Sequence, residues 1–161
     1  MKAVVVFESL WGNTAAIARA VAEGIGEGAV ALSTGEATPE RVAGADLIVA
    51  GAPLLGFSLP TEQMREGIRK QPQGPPADLS NPSLRSWLET VPAGSGRGAT
   101  FETRIWWSPG SAAKTAAAAL RERGYRVDDP GGRFVVKGKY GPLKSGELER
   151  AKAWGAALAR G

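Results

Sequence analysis

Apolar residues along this chain fall into short β-branched runs that alternate with longer stretches of helical spacing. Val4-Val5-Val6-Phe7, bounded by polar residues, reads as a buried strand. From Thr14 to about Ile25 the positions Ile17, Val21 and Ile25 recur at helical intervals, and Ala18 and Ala22 follow the first two. That pattern predicts an amphipathic helix closing at the Gly24, Gly26 and Gly28 cluster. Val30-Ala31-Leu32 makes a short second strand, and Pro39-Glu40-Arg41-Val42 a helical turn entered through proline. Asp46 to Ala50 is a third strand, ending in Gly51-Ala52-Pro53, and Thr61 to about Arg69 is helical. Residues 71–82 form a Pro-rich loop, read as internal to a domain because neither side is long enough to stand alone. Ser83 to Thr90 is a short helix carrying Trp87, Arg97 to Phe101 a strand, and Ser111 to Arg123 an Ala-rich helix ending at Gly124. Phe134-Val135-Val136 is the last strand. Glu147 to Ala159 is the last helix, with Leu148, Ala151, Trp154 and Leu158 on one face and Gly155 among them to admit a close neighbour.

Strands that alternate with helices imply right-handed crossovers and a parallel sheet covered on both sides. The expected architecture is a doubly wound α/β domain spanning residues 1–161. In such a fold ligands sit outside the carboxyl ends of the strands, so function is to be sought in the loops after Phe7, Ala50 and Phe101.

Composition narrows the chemistry. The 161 residues include no Cys and no His. That excludes disulfides, thiolate nucleophiles, iron–sulfur clusters and ordinary zinc sites, together with the Ser-His-Asp triad and its Cys-His relatives. Any redox chemistry must come from a bound cofactor. No segment approaches the roughly 18 consecutive apolar residues of a membrane span. The opening run is too short for a signal peptide and no small-residue cleavage site follows it, so a cytoplasmic location is expected. The net charge of +4 is uneven: residues 1–80 carry 6 Lys or Arg against 9 Asp or Glu, and residues 81–161 carry 14 against 7. A basic half of this kind fits a nucleic acid, an acidic protein, a phosphorylated cofactor or simply solvated helix faces, and charge leaves these open. No aromatic-interleaved basic run or nucleic-acid motif accompanies it.

Chemistry concentrates in Ser9-Leu10-Trp11-Gly12-Asn13-Thr14, which joins a buried strand to a helix N-terminus. Backbone N–H groups and the positive helix end converge there, Ser9 and Thr14 add hydroxyls, and Gly12 permits close approach. Asn13 stands where a Walker loop needs Lys, and the Gly-x-Gly-x-x-Gly of dinucleotide folds is absent. What remains is a neutral cradle for a terminal monophosphate.

These residues resemble the phosphate loop of the flavodoxin family, Ser/Thr-x-x-Gly-Asn-Thr after the first strand. Gly51-Ala52-Pro53 through Pro60 looks like the family's second flavin loop. Phe101-Glu102-Thr103-Arg104 resembles the Phe-Asp-Thr-Arg of a group of short bacterial flavodoxin-like proteins. Gly141-Pro142-Leu143 and Gly146 to Ala151 are similar to that group's approach to the last helix. The resemblance spans nearly the whole chain and implies a five-stranded parallel sheet of order 2-1-3-4-5 with FMN as cofactor. It implies that Ser9, Leu10, Trp11, Gly12, Asn13 and Thr14 hold the FMN phosphate. Pro53, Leu54, Leu55, Gly56 and Phe57 would then flank the ribityl chain and one ring face. Phe101, Glu102, Thr103 and Arg104 would bracket the pyrimidine edge, mainly through backbone groups. In that family a glycine beside the ring can flip its peptide to accept a hydrogen bond from N5, and Gly56 is the nearest match.

Departures from the family bear on the ring. Tyr125 and Tyr140 lie outside the three loops, leaving Phe57, Trp106 and Trp107 as the available aromatics. Stacking on the flavin and ordinary packing both remain open for the two tryptophans. Trp87 and Trp154, on helical faces, are expected in the core. The pI of about 9.7 contrasts with the acidity usual in flavodoxins, and a positive surround favours anionic reduced flavin. The resemblance implies an electron carrier, monomeric or weakly dimeric, passing electrons between a reductase and a partner protein, and the basic surface suggests that this partner is acidic. No role for nucleic acid or membrane is expected. The alternative is an FMN-dependent NAD(P)H:quinone-type oxidoreductase, which would need a further wall over the ring. A domain that has lost FMN and serves only in protein interaction is a third reading, opposed by the intact loop.

Overall fold

A parallel strand covered on both faces has no solvent side, and β1 (Ala3–Phe7) is buried at every position. In the computed structural model, which describes residues 1–71 and 73–161, β1 is the second strand of a five-stranded parallel sheet. The strand order is β2-β1-β3-β4-β5, as expected, with β2 at Ala29–Ser33, β3 at Leu47–Pro53, β4 at Arg97–Ile105 and β5 at Gly132–Val136. Pro72, part of the predicted Pro-rich loop, lies outside the described residues.

The side-chain alternation of β1 divides the core in two. Val4 and Val6 pack with Ile48, Trp87, Leu88, Ala116 and Leu120 on the face covered by α2 (Pro39–Val42), α4 (Leu84–Thr90) and α5 (Ala112–Glu122), while α3 (Glu62–Arg69) is tied to the exit of β1 through Arg65, which pairs with Glu8. Ala3, Val5 and Phe7 pack with Ile17, Val21, Phe101, Phe134 and Leu158 on the face covered by α1 (Asn13–Ile25) and α6 (Glu147–Arg160). Trp87 is in the core as expected, its indole N–H donating to the Ala37 carbonyl at 2.9 Å. Trp154 is half-buried against Phe101 and Phe134, with ring centroids 6.2 and 5.9 Å away. Leu148 departs from its expected place on the buried face of α6: it is 45% exposed, and the buried positions are Glu147, Ala151, Gly155 and Leu158.

Helix starts follow the local sequence. Thr61, Ser83 and Ser111 accept hydrogen bonds from the N–H groups of Met64, Ser86 and Lys114, capping α3, α4 and α5. The edge strand β5 is closed by the segment that follows it. The Lys144 N–H donates to the Val135 carbonyl at 2.9 Å, and Val135 donates to Glu147 Oε2 at 2.6 Å. Hydrogen bonds from Arg150, and then from Val135, hold the Glu147 carboxyl below its ordinary range against the opposing effect of burial.

Helices α1 and α6 cross at glycines. A Cβ on Gly155 would lie 2.2 Å from the Val21 carbonyl oxygen, and one on Gly24 would lie 1.9 Å from that of Lys152. Backbone leaves no flexible group to move aside. Gly155→Ala is therefore expected to lower stability by about 1–3 kcal/mol in urea denaturation. Gly67 in α3 has open space around its Cβ position. Gly67→Ala should accordingly raise stability, by up to about 1 kcal/mol.

Candidate functional site

Because β1, β3, β4 and β5 run parallel, their carboxyl ends deliver four loops to the same edge of the sheet. A cavity of about 200 Å³ opens there, lined by Leu10, Trp11, Asn13 and Thr14 after β1, by Pro53 to Gly56 at the end of β3, and by Thr103 to Ile105 at the end of β4. Ser108, Val136 and Lys139 complete the lining. Enclosed small-molecule sites usually run to roughly 300–1,000 Å³, so a ligand anchored here would be partly enclosed and partly at the surface.

The loop after β1 is arranged for an anion. Gly12 holds φ at 93° immediately before α1, and a Cβ there would meet nothing within 4 Å, so conformation and not space demands glycine. Ser9 Oγ accepts from the N–H groups of Gly12 and Ala15, both at 3.1 Å, and so stitches the loop to the helix start. Among the described residues nothing accepts from the N–H groups of Leu10, Trp11, Asn13 or Thr14. A left-handed residue followed by a helix start turns such groups inward, and unpaired N–H groups at a helix start are an anion site in waiting. The Thr14 hydroxyl, buried, lies 2.8 Å from that of Thr103.

This fold has known counterparts. The sequence matches no family model and no curated protein. In three dimensions the chain is similar to a flavodoxin from the domain Archaea, with a TM-score of 0.69, 24% identity, and coverage of 99% of this chain and 97% of that one. It is also similar to Flavodoxin 2 from Bacillus cereus (TM-score 0.72, 16% identity, 99% of both chains). Megasphaera elsdenii flavodoxin gives a TM-score of 0.61 at 20% identity, again over 99% of both chains. The chain has the flavodoxin fold.

Within this flavodoxin fold the expected site residues divide. Leu10, Trp11, Asn13, Thr14, Pro53, Leu54, Leu55, Gly56, Thr103 and Arg104 share the cavity. Ser9 and Gly12 face a neighbouring groove on the other side of the loop. β4 runs to Ile105, four residues beyond the expected end, so Phe101 to Arg104 are strand residues and the loop begins at Trp106. Phe101 is a core residue whose ring lies across Gly51, where a Cβ would fall 2.1 Å from it. Glu102 points to the opposite face of the sheet. Its carboxylate accepts from Arg104 Nη1 (2.7 Å), from the Ser111 hydroxyl (2.9 Å) and from the Ala113 N–H (3.0 Å), pinning the start of α5. Arg104 also donates to the Gly110 carbonyl at 3.1 Å and to that of Ser108, so one guanidinium gathers the whole turn after β4.

That turn meets the loop after β3. The Ser111 N–H donates to the Phe57 carbonyl at 3.0 Å, and Gly110 leaves no room for a side chain against Phe57. Leu55 and Ser58 exchange backbone hydrogen bonds around Gly56 and Phe57, at φ 55° and 73°. Glycine takes that conformation freely, whereas a phenylalanine there is strained. Phe57, Trp106 and Trp107 are 69%, 75% and 65% exposed. None of the three lines the cavity; they stand on adjoining loops at its edge.

At the loop after β1, Glu8 performs a role parallel to that of Glu102. Buried at the exit of β1, it accepts from Arg65 Nη1 of α3 at 2.7 Å and from the Leu84 N–H of α4 at 2.9 Å. Burial pushes its carboxyl above the ordinary range despite the Leu84 and Arg65 hydrogen bonds. Ile105, Ser108, Val136 and Lys139 line the cavity without having been expected there, and Tyr140 packs on the loop after β1 without lining the cavity. Lys139 follows β5, and among the described residues it forms no ion pair. Tyr140, beside it, stands edge-on to Trp11 with centroids 4.9 Å apart. The signal available was that β5 must end at the same edge as the other strands.

Removing Arg104 would leave the buried Glu102 carboxylate without its counter-charge. Arg104→Met is expected to cost about 3–5 kcal/mol in chemical denaturation. It should also make residues 106–110 the first site of limited proteolysis, and intact protection of that turn would contradict its assigned role.

Proposed function

We propose that this chain binds FMN and carries electrons between a reductase and an acceptor protein, acting as one domain. The observation that supports this most strongly is the set of N–H groups of Leu10, Trp11, Asn13 and Thr14, without acceptors among the described residues, at the mouth of the shared cavity. These groups, with the Thr14 hydroxyl, would hold the terminal phosphate, and Ser9 and Gly12 would keep the loop in shape. Pro53, Leu54, Leu55 and Gly56 would form one wall, and Thr103 and Arg104 the other. Phe57 and Trp106 would meet whatever part of the ring system extends past the rim. The similar solved structures are flavodoxins, and FMN is the cofactor that this fold and this loop support together.

When bound, FMN supplies one- and two-electron chemistry, and the protein's part is to hold it, set its electrostatic surroundings and control access. Arg104 is largely neutralised by Glu102 and by two carbonyls, which leaves Lys139 as the cation at the cavity without an ion pair among the described residues. A fixed cation there favours negative charge developing on the ligand. A shallow cavity that leaves an edge of its ligand at the surface suits transfer to a docked protein. The excess of Lys and Arg over residues 81–161 favours an acidic partner.

The test is a titration of the purified apo-protein with FMN, followed by visible absorption and then by stepwise anaerobic reduction. The expected result is a saturable equimolar complex that oxidises NADH or NADPH only when a separate reductase is added. Steady NAD(P)H oxidation by the protein alone would instead support the quinone-reductase reading, and no binding at all would overturn both.

A further inference from the structure

Trp11 occupies an undetermined position of the loop pattern, where nothing about phosphate binding asks for an indole. It lines the cavity and also a larger groove of about 690 Å³ on the far side of the loop. We infer that the Trp11 ring, braced by Tyr140, is the partition that ends the site at a monophosphate and excludes flavins whose phosphate is extended. The inference rests on the FMN reading and names the residue that sets its ligand length.

The partition is held from three sides. The Trp11 indole N–H donates to the Pro75 carbonyl at 3.3 Å, and the Leu10 carbonyl accepts from the Asp78 N–H at 2.8 Å, so the covering loop is tied to the cradle at two points. Tyr140 meets Trp11 edge to face at an interplanar angle of 71°. Its hydroxyl end sits against Gly74, where a Cβ would come within 2.7 Å, and its carbonyl accepts from the Asn13 amide at 3.1 Å. Both rings are therefore fastened to neighbouring loops and cannot swing aside without breaking these contacts.

Charge acts in the same direction. The groove beyond Trp11 carries Arg19 against Glu36 and Asp78. Hydrogen bonds from Ser33 hold Glu36 below its ordinary range, and hydrogen bonds from Ser80 do the same for Asp78, so both stay ionised at neutral pH. Arg19 lies over the Phe7 ring at 5.9 Å. A second phosphate leaving the cradle would thus meet a ring first and then a groove with more negative than positive charge. A ligand ending in one phosphate meets neither.

Isothermal titration calorimetry of the apo-protein with FMN, the methyl phosphate ester of FMN, and FAD tests this on the ligand side and the protein side together. The wild type is expected to bind FMN at least about a hundredfold more tightly than either extended ligand. Trp11→Phe, with a shorter ring, should admit the methyl ester while still rejecting FAD. Trp11→Ala should narrow the gap between FMN and FAD by about tenfold or more. Wild type binding FMN and FAD alike would overturn the partition and leave the FMN reading standing, as would an unchanged preference in both variants. Wild type that binds none of the three would overturn both. Should Trp11→Ala fail to fold, the methyl ester measured against wild type and Trp11→Phe still decides.

Discussion

A parallel sheet sends the carboxyl end of every strand to one edge, and the polar groups of the loops that leave those ends must all be satisfied there. This constraint shapes the molecule. The chain meets it at two of the five exits with a buried carboxylate: Glu8 at the end of β1 and Glu102 near the end of β4. Each takes one arginine and at least one backbone N–H from the start of a helix, α4 for Glu8 and α5 for Glu102. The anionic side chains also complement the positive ends of those helices. What the carboxylates do not reach are the N–H groups between Leu10 and Thr14, and the unsatisfied groups left in that gap are what a ligand can use.

The electrostatic consequence is that the cavity's own charge is small. Arg104 and Arg65 are buried and committed to carboxylates, so their charge is cancelled within a few ångströms. Lys139, carried on the loop after β5, lines the cavity and forms no ion pair among the described residues. An overall net charge of +4 thus says less about the site than the pairing of individual groups does. Breaking either buried pair costs more than forming it contributes, because the unpaired ion stays buried.

Periodicity carried the architecture. Runs such as Val4-Val5-Val6 and the spacing of Ile17, Val21 and Ile25 point to the strands and helices that form, whereas the sheet order 2-1-3-4-5 was readable only through the resemblance of the loop motifs to a known family. Gly155 was legible as a point of close approach because a glycine on the buried face of a helix has little other use. β4 was harder to read. Glu102 and Arg104 look like loop residues until each is seen to neutralise the other, which allows a strand to continue through them. Leu148 fits the helical period but falls beyond the reach of α1 and the sheet. The contributions of Lys139 and Tyr140 depend on how a distant loop folds back over Trp11, which no local pattern records. The cradle was the most legible part of the site, since its spacing, glycine and helix start are all local. The aromatic rim was the least legible, because exposed rings obey no burial pattern.

In the proposed complex the N–H groups of Leu10, Trp11, Asn13 and Thr14 bind the terminal phosphate while the ends of β3 and β4 flank the rest of the ligand. Amide-resolved NMR of the protein titrated with FMN measures this directly. The largest shifts are expected at Leu10, Trp11, Asn13 and Thr14, together with Leu54 to Gly56 and Thr103 to Ile105, and small shifts at Arg19, Glu36 and Asn81 in the neighbouring groove. Large shifts confined to that groove, with the cradle amides unmoved, would contradict that arrangement.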